Sequence, residues 1–89
     1  MRVTVDGGEL QVEVAGCGNE VLFVHGWPLD HRAFQPQYDA LAHRYRVLSY
    51  DRRGFGQSTA PPNLRLEVDD ILRLLDACDV ESVHLVGMS

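Results

Sequence analysis

Residues 21–28 read Val-Leu-Phe-Val-His-Gly-Trp-Pro and carry the clearest signal of the fold class. The first four residues are continuously apolar and favour β structure, which is typical of a strand buried on both faces. The strand is expected to end where the His-Gly-Trp-Pro turn begins. A strand that is buried on both faces needs cover on each side, so this stretch predicts a mainly parallel sheet with helices on both faces.

Further strands are indicated on either side of this stretch. Two later apolar runs, residues 47–50 and 83–86, predict two more buried strands. Residues 3–6 and 10–14 alternate apolar and polar side chains around Gly7-Gly8, which predicts an opening β-hairpin. The hairpin would give the sheet an antiparallel edge.

Two helices are expected between the three buried strands. Phe34, Tyr38 and Leu41 recur at helical spacing, which predicts a short helix over residues 36–43 with Pro36 in its first turn. A second, amphipathic helix is predicted over residues 64–77, capped by Asn63. Its apolar stripe is Val68, Ile71, Leu72 and Leu75, and its opposite face is Glu67, Asp69, Asp70 and Arg73.

Connectivity rules then bring two loops together. Right-handed crossovers that cover both faces place the third strand beside the fifth and leave the fourth outermost of the three. The carboxyl ends of the third and fifth strands carry residues 25–27 and 87–89. Because ligands bind at such a switch point in open α/β sheets, we expect a site there.

Composition restricts the class of protein and its partners. The chain has 89 residues, 45% of them hydrophobic and 24% charged, which is typical of one globular domain. A formal net charge of −5 and the lack of a Lys/Arg cluster disfavour nucleic acid and membrane surfaces as partners. No apolar signal or bilayer-length run is found, and Cys17 and Cys78 form no metal-type or redox pair. These features predict a cytoplasmic protein.

Three segments, taken together, resemble the α/β-hydrolase superfamily: His-Gly-Trp-Pro at 25–28, Asp-Arg-Arg-Gly-Phe-Gly-Gln-Ser at 51–58, and Val-His-Leu-Val-Gly-Met-Ser at 83–89. The resemblance implies that residues 1–89 are the N-terminal portion of a single α/β-hydrolase domain, truncated at its nucleophile elbow. It also implies a cofactor-free enzyme with a small-molecule acyl substrate and no metal. Members that look similar include haloperoxidases of the cofactor-free type, enol-lactone hydrolases and esterases.

The same resemblance implies the roles of individual residues. Ser89 occupies the nucleophile position of the G-x-S-x-G elbow, and Gly87 is its first glycine. Trp27 would offer its backbone N–H to the oxyanion hole, supported by His25 and Gly26. The acid and the histidine of the triad come later in sequence in this family. The loop over residues 51–58 looks structural, and its glycines permit tight turns.

Several alternative interpretations were weighed against these roles. A triad of Ser89, His25 and Asp51 is disfavoured because the family's base arrives later in sequence. Residues 54–59 lack the third glycine and the helix start of a dinucleotide fingerprint. Trp27 could be core packing, although a pocket-lining ring is preferred. Among the other histidines, His84 is expected to be packed and His31 and His43 to lie on the surface, with no metal spacing to Asp30.

The predicted function is hydrolysis of ester, lactone or related acyl substrates by a serine nucleophile. A serine at position 89 argues against the dehalogenase and epoxide-hydrolase branches, which use a carboxylate. The 89 residues lack a base, lack the second oxyanion donor and place a terminal carboxylate at Ser89, so we expect them to be inactive alone. The alternative is a truncated product or a binding relic of the same fold. An apolar fifth strand at the sheet edge predicts poor folding alone and self-association.

Overall fold

The computed structural model describes residues 1–88, and Ser89 lies outside the described residues. Its elements follow the predicted order of a hairpin and then alternating strands and helices. They are β1 (Arg2–Val5), β2 (Gly8–Ala15), β3 (Glu20–Val24), a 3-10 turn (His31–Phe34) that runs into α1 (Gln35–Leu41), β4 (Arg46–Tyr50), a 3-10 turn (Leu64–Leu66) that runs into α2 (Glu67–Ala77), and β5 (His84–Gly87).

The strands form a single five-stranded sheet in the order β1-β2-β4-β3-β5. The hairpin pairs β1 with β2, and β2 pairs with β4, both antiparallel. The strand β3 pairs in parallel with β4 on one side and with β5 on the other. The predicted fold class is therefore confirmed, and so is the expected adjacency of the third and fifth strands.

Each face of the sheet carries its own apolar core, because alternate residues of a strand point to opposite faces. Leu22 and Leu48 pack with Leu74 of α2 on one face. Phe23 and Val47 pack on the other face with Phe34 and with α1. The two helices thus cover opposite faces, as expected for a parallel sheet.

The start of each helix matches the sequence-based expectation closely. Pro36 lies in the first turn of α1, where its missing N–H breaks no helical hydrogen bond. The side chain of Asn63 accepts a hydrogen bond of 3.0 Å from the backbone N–H of Arg65 and caps the 3-10 turn that leads into α2.

The buried face of α2 differs from the predicted stripe. Ile71 and Leu75 pack partly against the core, but Val68 is 70% exposed and Leu72 is 57% exposed. Leu74 and Asp70 are fully buried instead. The helix is therefore rotated from the predicted orientation, so that a carboxylate assigned to its solvent face points into the protein.

The physical reason for this rotation is a buried ion pair. The guanidinium of Arg53 donates to Asp70 through Nε at 2.6 Å and through Nη2 at 2.8 Å. It also donates to the carbonyl oxygens of Asp6 and Pro61. A buried carboxylate is tolerated when its charge is paired and hydrogen-bonded. The bond to Asp70 also raises the pKa of the Arg53 guanidinium above its usual range.

Both cysteines are free thiols, of which Cys17 is exposed and Cys78 is packed in the core under α2. Burial raises the pKa of the Cys78 thiol, so it stays protonated. Within residues 1–88, no helix has the length and apolar character needed to cross a membrane.

Candidate active site

The carboxyl ends of β3 and β5 meet at one edge of the sheet. Val24, the last residue of β3, lies opposite Gly87 in the parallel register. The backbone N–H of Met88 donates to the carbonyl oxygen of Val24 at 3.1 Å, which carries the pairing one residue beyond β5. The chain that leads to Ser89 therefore runs beside the start of the His25-Gly26-Trp27 turn, although Ser89 itself lies outside the described residues.

The imidazole of His25 is part of the scaffold beneath this turn. It is 1% exposed and packs edge-on against the ring of Phe55, with the ring centroids 5.5 Å apart. Its Nε2 accepts the backbone N–H of Arg52 at 2.9 Å, and its Nδ1 lies 3.0 Å from the carbonyl oxygen of Gly26. Since a backbone N–H can only donate, Nε2 must be the acceptor and the ring proton is assigned to Nδ1.

This arrangement leaves His25 unsuited to act as a catalytic base. A general base needs a free lone pair within reach of the proton that it removes. The Nε2 lone pair of His25 is occupied by Arg52, and the Nδ1 proton is directed to Gly26. The geometry agrees with the preference against a triad built from Ser89, His25 and Asp51.

The ring of Trp27 is open to solvent. The side chain is 77% exposed, so it is not packed in the core of residues 1–88. It borders an open groove of about 370 Å³ that Phe55 and Leu64 also line. Among residues 1–88, the backbone N–H of Trp27 forms no hydrogen bond. The donor that the sequence assigned to an oxyanion hole is thus unused within the described part of the chain.

Asp51 organises the loop that follows β4. The residue is fully buried, and its Oδ1 accepts the backbone N–H and the Nδ1 of His31, each at 2.7 Å. Its Oδ2 accepts the backbone N–H of Gln57 at 2.9 Å. Gly56 has a φ of +50°, and a Cβ there would lie 2.3 Å from Oδ2. The structural interpretation of this loop and of its glycine is supported by these contacts.

Arg52 joins this loop to α2 at the edge of the groove. Its guanidinium pairs with the carboxylate of Glu67 through two contacts of 3.2 Å and lies 5.7 Å from the centroid of the Phe55 ring. It also donates to the carbonyl oxygen of His25 at 3.3 Å. Both arginines of the Arg52-Arg53 pair are therefore held by carboxylates of α2, and neither forms a basic surface.

His31 and His84 lie in surroundings other than those expected. His31 is not a free surface residue, because its side chain is 19% exposed and is bonded to Asp51. Within residues 1–88, His84 is exposed rather than packed, because β5 lies at the edge of the described sheet. His43 is exposed, as predicted. The pairing of His31 with Asp51 was missed because the two residues are 20 positions apart and no spacing rule connects them.

Asp30, His31 and Asp51 come together in space despite their lack of a metal-type spacing. One potential ligand atom from each lies within 4.8 Å of the others. These atoms are already engaged, since Arg32 donates to both carboxylate oxygens of Asp30 and His31 donates to Asp51. The Arg32 guanidinium lowers the pKa of the Asp30 carboxyl to about 2. These hydrogen bonds explain why the three side chains lie close together, without a metal ion.

Gly87 shows no steric requirement within the described residues. The sequence assigned it the first glycine of the elbow, where a small residue avoids a clash. A Cβ built at Gly87 meets no heavy atom within 4 Å. Any such clash would therefore have to come from atoms outside residues 1–88.

The chain matches known proteins across almost its entire length. The sequence model of the family described as alpha/beta hydrolase fold matches residues 19–89. The chain is 39% identical over 87 residues to 3-oxoadipate enol-lactonase 1 from Acinetobacter baylyi, covering 93% of this chain and 33% of that protein. It is 39% identical over 90 residues to the non-heme chloroperoxidase CPO-A1 from Kitasatospora aureofaciens, covering 97% and 33%.

Other similar proteins are named for different activities, although they share this fold. The chain is 36% identical over 91 residues to an epoxide hydrolase from Caballeronia sordidicola, covering 96% of this chain and 28% of that protein. The structure superposes on a thermophilic esterase from Thermogutta terrifontis with a TM-score of 0.89 and 32% identity, covering 100% and 36%. The chain thus spans about a third of the length of the curated relatives that it matches. Its sequence and its fold both show that the chain belongs to the α/β-hydrolase superfamily.

Proposed function

We propose that residues 1–89 form the N-terminal portion of the catalytic domain of a serine hydrolase that acts on esters, lactones or related acyl compounds. In this proposal Ser89 is the nucleophile and the backbone N–H of Trp27 is one donor of the oxyanion hole. The triad histidine and acid lie outside these residues. The chemistry requires no cofactor or metal, and the partner is a small acyl substrate.

The observation that carries the proposal is the pairing of β3 with β5. The bond from the Met88 N–H to the Val24 carbonyl brings the chain entering Ser89 beside the turn that carries Trp27. A nucleophile and an oxyanion donor must lie within a few ångströms of the same carbonyl group. The backbone N–H of Trp27 forms no hydrogen bond within residues 1–88, so it is free to donate to such a carbonyl oxygen.

The expected chemistry follows from these positions. A hydroxyl becomes a useful nucleophile when an adjacent base removes its proton, and attack on an acyl carbon places negative charge on the carbonyl oxygen. Donors aligned with that oxygen stabilise it in the transition state. His25 has no free lone pair for Ser89, and in this proposal the base lies later in sequence, as the family resemblance implies.

A carboxylate-based epoxide hydrolase is the second candidate, favoured by the 36% identity to a protein of that name. Ser89 argues against this candidate, because the family resemblance implies a carboxylate at the nucleophile position of that branch. The alternative that is not an enzyme is a truncated product, or a protein of the same fold that binds a ligand without catalysis. Cytoplasmic location remains a prediction from the sequence.

The proposal is tested in the protein at its natural length with a short activated ester. We expect turnover, and we expect Ser89→Ala to remove nearly all of it, because members of a triad act as a unit. A serine-reactive phosphonate should label Ser89. The 89-residue chain alone should show neither turnover nor labelling.

Two controls separate the candidates. Ser82→Ala changes an exposed serine at the opposite end of β5 and should leave the rate unchanged. If the Ser89→Ala protein keeps its rate, the nucleophile assignment is wrong. If the parent protein opens an epoxide and does not cleave the ester, the second candidate is correct.

A further inference from the structure

The loop that carries Trp27 is held at both ends by two consecutive residues of another loop. At its start, Nε2 of His25 accepts the backbone N–H of Arg52 at 2.9 Å. At its end, the backbone N–H and Nδ1 of His31 both donate to Oδ1 of Asp51 at 2.7 Å. The two attachment points are thus adjacent residues at the carboxyl end of β4.

Between these two ends, the loop has few contacts that could hold it. Trp27, Pro28 and Leu29 are all exposed, so their side chains contribute little packing. One internal turn is closed by the bond of 2.8 Å from the Leu29 N–H to the Gly26 carbonyl oxygen. The position of the Trp27 N–H therefore depends on the two hydrogen-bonded ends.

The acceptor at the second end is itself fixed. The Asp51 side chain is 1% exposed, and its other oxygen accepts the Gln57 N–H. Gly56 packs against this carboxylate so closely that a Cβ would overlap it. A side chain confined in this way cannot follow His31 if the loop moves, so it acts as a rigid anchor.

We propose that His31 is a positioning residue, which holds the Trp27 N–H in place by donating from Nδ1 to Asp51. This inference rests on the proposed function for its kinetic consequence, but the attachment itself can be measured without activity. A misplacement of about 1 Å in a catalytic group can cost about 10²-fold in rate. The alternative is that the His31–Asp51 bond only stabilises the fold.

The first measurement uses the unsubstituted protein at its natural length. Long-range proton–nitrogen NMR spectra should show a proton on Nδ1 of the His31 ring. A proton on Nε2 alone would overturn the proposal, because the ring would then have no hydrogen to donate to Asp51.

The second measurement compares substitutions at His31. His31→Ala removes the side-chain donor and keeps the backbone N–H that also donates to Asp51, whereas His31→Asn keeps a side-chain N–H at the same number of bonds from the backbone. His31→Ala should speed hydrogen exchange of the Leu29 amide, which is bonded to the Gly26 carbonyl oxygen, at least 10-fold, with amides of β3 and β4 changed less than twofold. His31→Asn should restore slow exchange. His43→Ala is the matched control, since that histidine is exposed.

Steady-state kinetics separate the two roles of His31, because a bond that only stabilises the fold would not selectively lower kcat in the folded enzyme. We expect His31→Ala to lower kcat on the activated ester by about 10- to 100-fold with KM within about twofold, and His31→Asn to recover most of kcat. Equal exchange of the Leu29 amide in the parent and in His31→Ala would overturn the inference. The inference would also be overturned if His31→Ala speeded amide exchange in β3 and β4 as much as in the loop, because the whole fold would then be destabilised. If even Ser89→Ala leaves the rate unchanged, the proposed function fails while the exchange result still decides the role of His31.

Discussion

The strands β3 and β5 are parallel neighbours with similar sequences, yet their surroundings differ completely. In register, Leu22 of β3 lies opposite Leu85 of β5, and Phe23 lies opposite Val86. Leu22 is 0% exposed and Leu85 is 58% exposed. The apolar, β-favouring composition of both segments predicts that both strands are buried, but only β3 is.

The difference shows that the neighbours of a strand decide its burial. The strand β3 lies between β4 and β5 and is covered by a helix on each face, whereas β5 has a strand on one side only. An apolar strand at an open edge offers unpaired backbone groups and apolar side chains to other chains. Substitutions in the covered centre of the sheet (β3, β4 and the face of α2 packed on them) and at its open edge (β5) are therefore expected to have different effects, which paired variants can compare.

The largest expected effect is at the covered ion pair. Asp70→Asn leaves the Arg53 guanidinium buried without its counter-charge, which typically costs about 3–5 kcal/mol. The neighbouring pair of Asp69 with Arg73 is about half exposed, so Asp69→Asn should cost no more than about 0.5 kcal/mol. Urea denaturation in a sucrose background, which favours compact states, measures both. Similar costs for the two variants would show that Asp70 is solvated in solution.

The next effect uses the cross-strand pair of leucines. Leu22→Ala should destabilise the chain by about 2–5 kcal/mol, because it removes buried methyl groups and leaves a cavity. Leu85→Ala on the neighbouring strand should cost less than about 1 kcal/mol, because its side chain is largely exposed already. The same denaturation series compares them. Equal losses would mean that β5 is covered in solution, as it would be in an oligomer.

A smaller effect distinguishes the hydroxyl groups of two consecutive residues of β4, which point to opposite faces of the sheet. The hydroxyl of Tyr50 is buried with no partner among residues 1–88, whereas that of Ser49 donates to the His31 carbonyl at 3.1 Å. Burial, followed by the nearby Glu67 carboxylate, raises the pKa of Tyr50 above its usual range, so the hydroxyl stays protonated. We expect Tyr50→Phe to be neutral or stabilising by up to about 1 kcal/mol and Ser49→Ala to cost about 1 kcal/mol. A large loss in Tyr50→Phe would reveal a bound water as its partner.

The smallest change in stability is expected at the open edge, where association should change instead. The 89-residue chain should form oligomers, and Val86→Lys should shift it towards monomer by placing a charge on β5. The unfolding free energy should change by no more than about 0.5 kcal/mol, because Val86 is 37% exposed. Sedimentation velocity over a range of concentrations measures the association, with Thr4→Lys on the opposite edge strand as control. A parent chain that stays monomeric at all concentrations would contradict the prediction.

Local signals predicted most of the elements correctly. The buried run at 21–24, the helical spacing of Phe34, Tyr38 and Leu41, and the cap at Asn63 each depend on residues close in sequence. The adjacency of β3 and β5 followed from the handedness of crossover connections, which is a general rule. The loops that meet at the candidate site were therefore predictable.

The orientation of side chains within these elements was less predictable. The face of α2 was misassigned because Asp70 reads as a solvent residue until its partner Arg53, 17 positions earlier, is known. The role of His31 was missed for the same reason, since its partner Asp51 is 20 positions later. Neither pairing leaves a periodic pattern in the chain.

Short-range signals account for the elements, their order and the loops that meet at one end of the sheet, because propensity and periodicity act locally and crossover handedness is a general rule. The burial of Asp70, the bond from His31 to Asp51 and the exposure of β5 within residues 1–88 appear only in the folded molecule. These outcomes depend on charge pairs formed across long separations and on which surfaces find a covering neighbour. Both are properties of the packed molecule, because they require groups that meet only after the sheet and its helices have assembled.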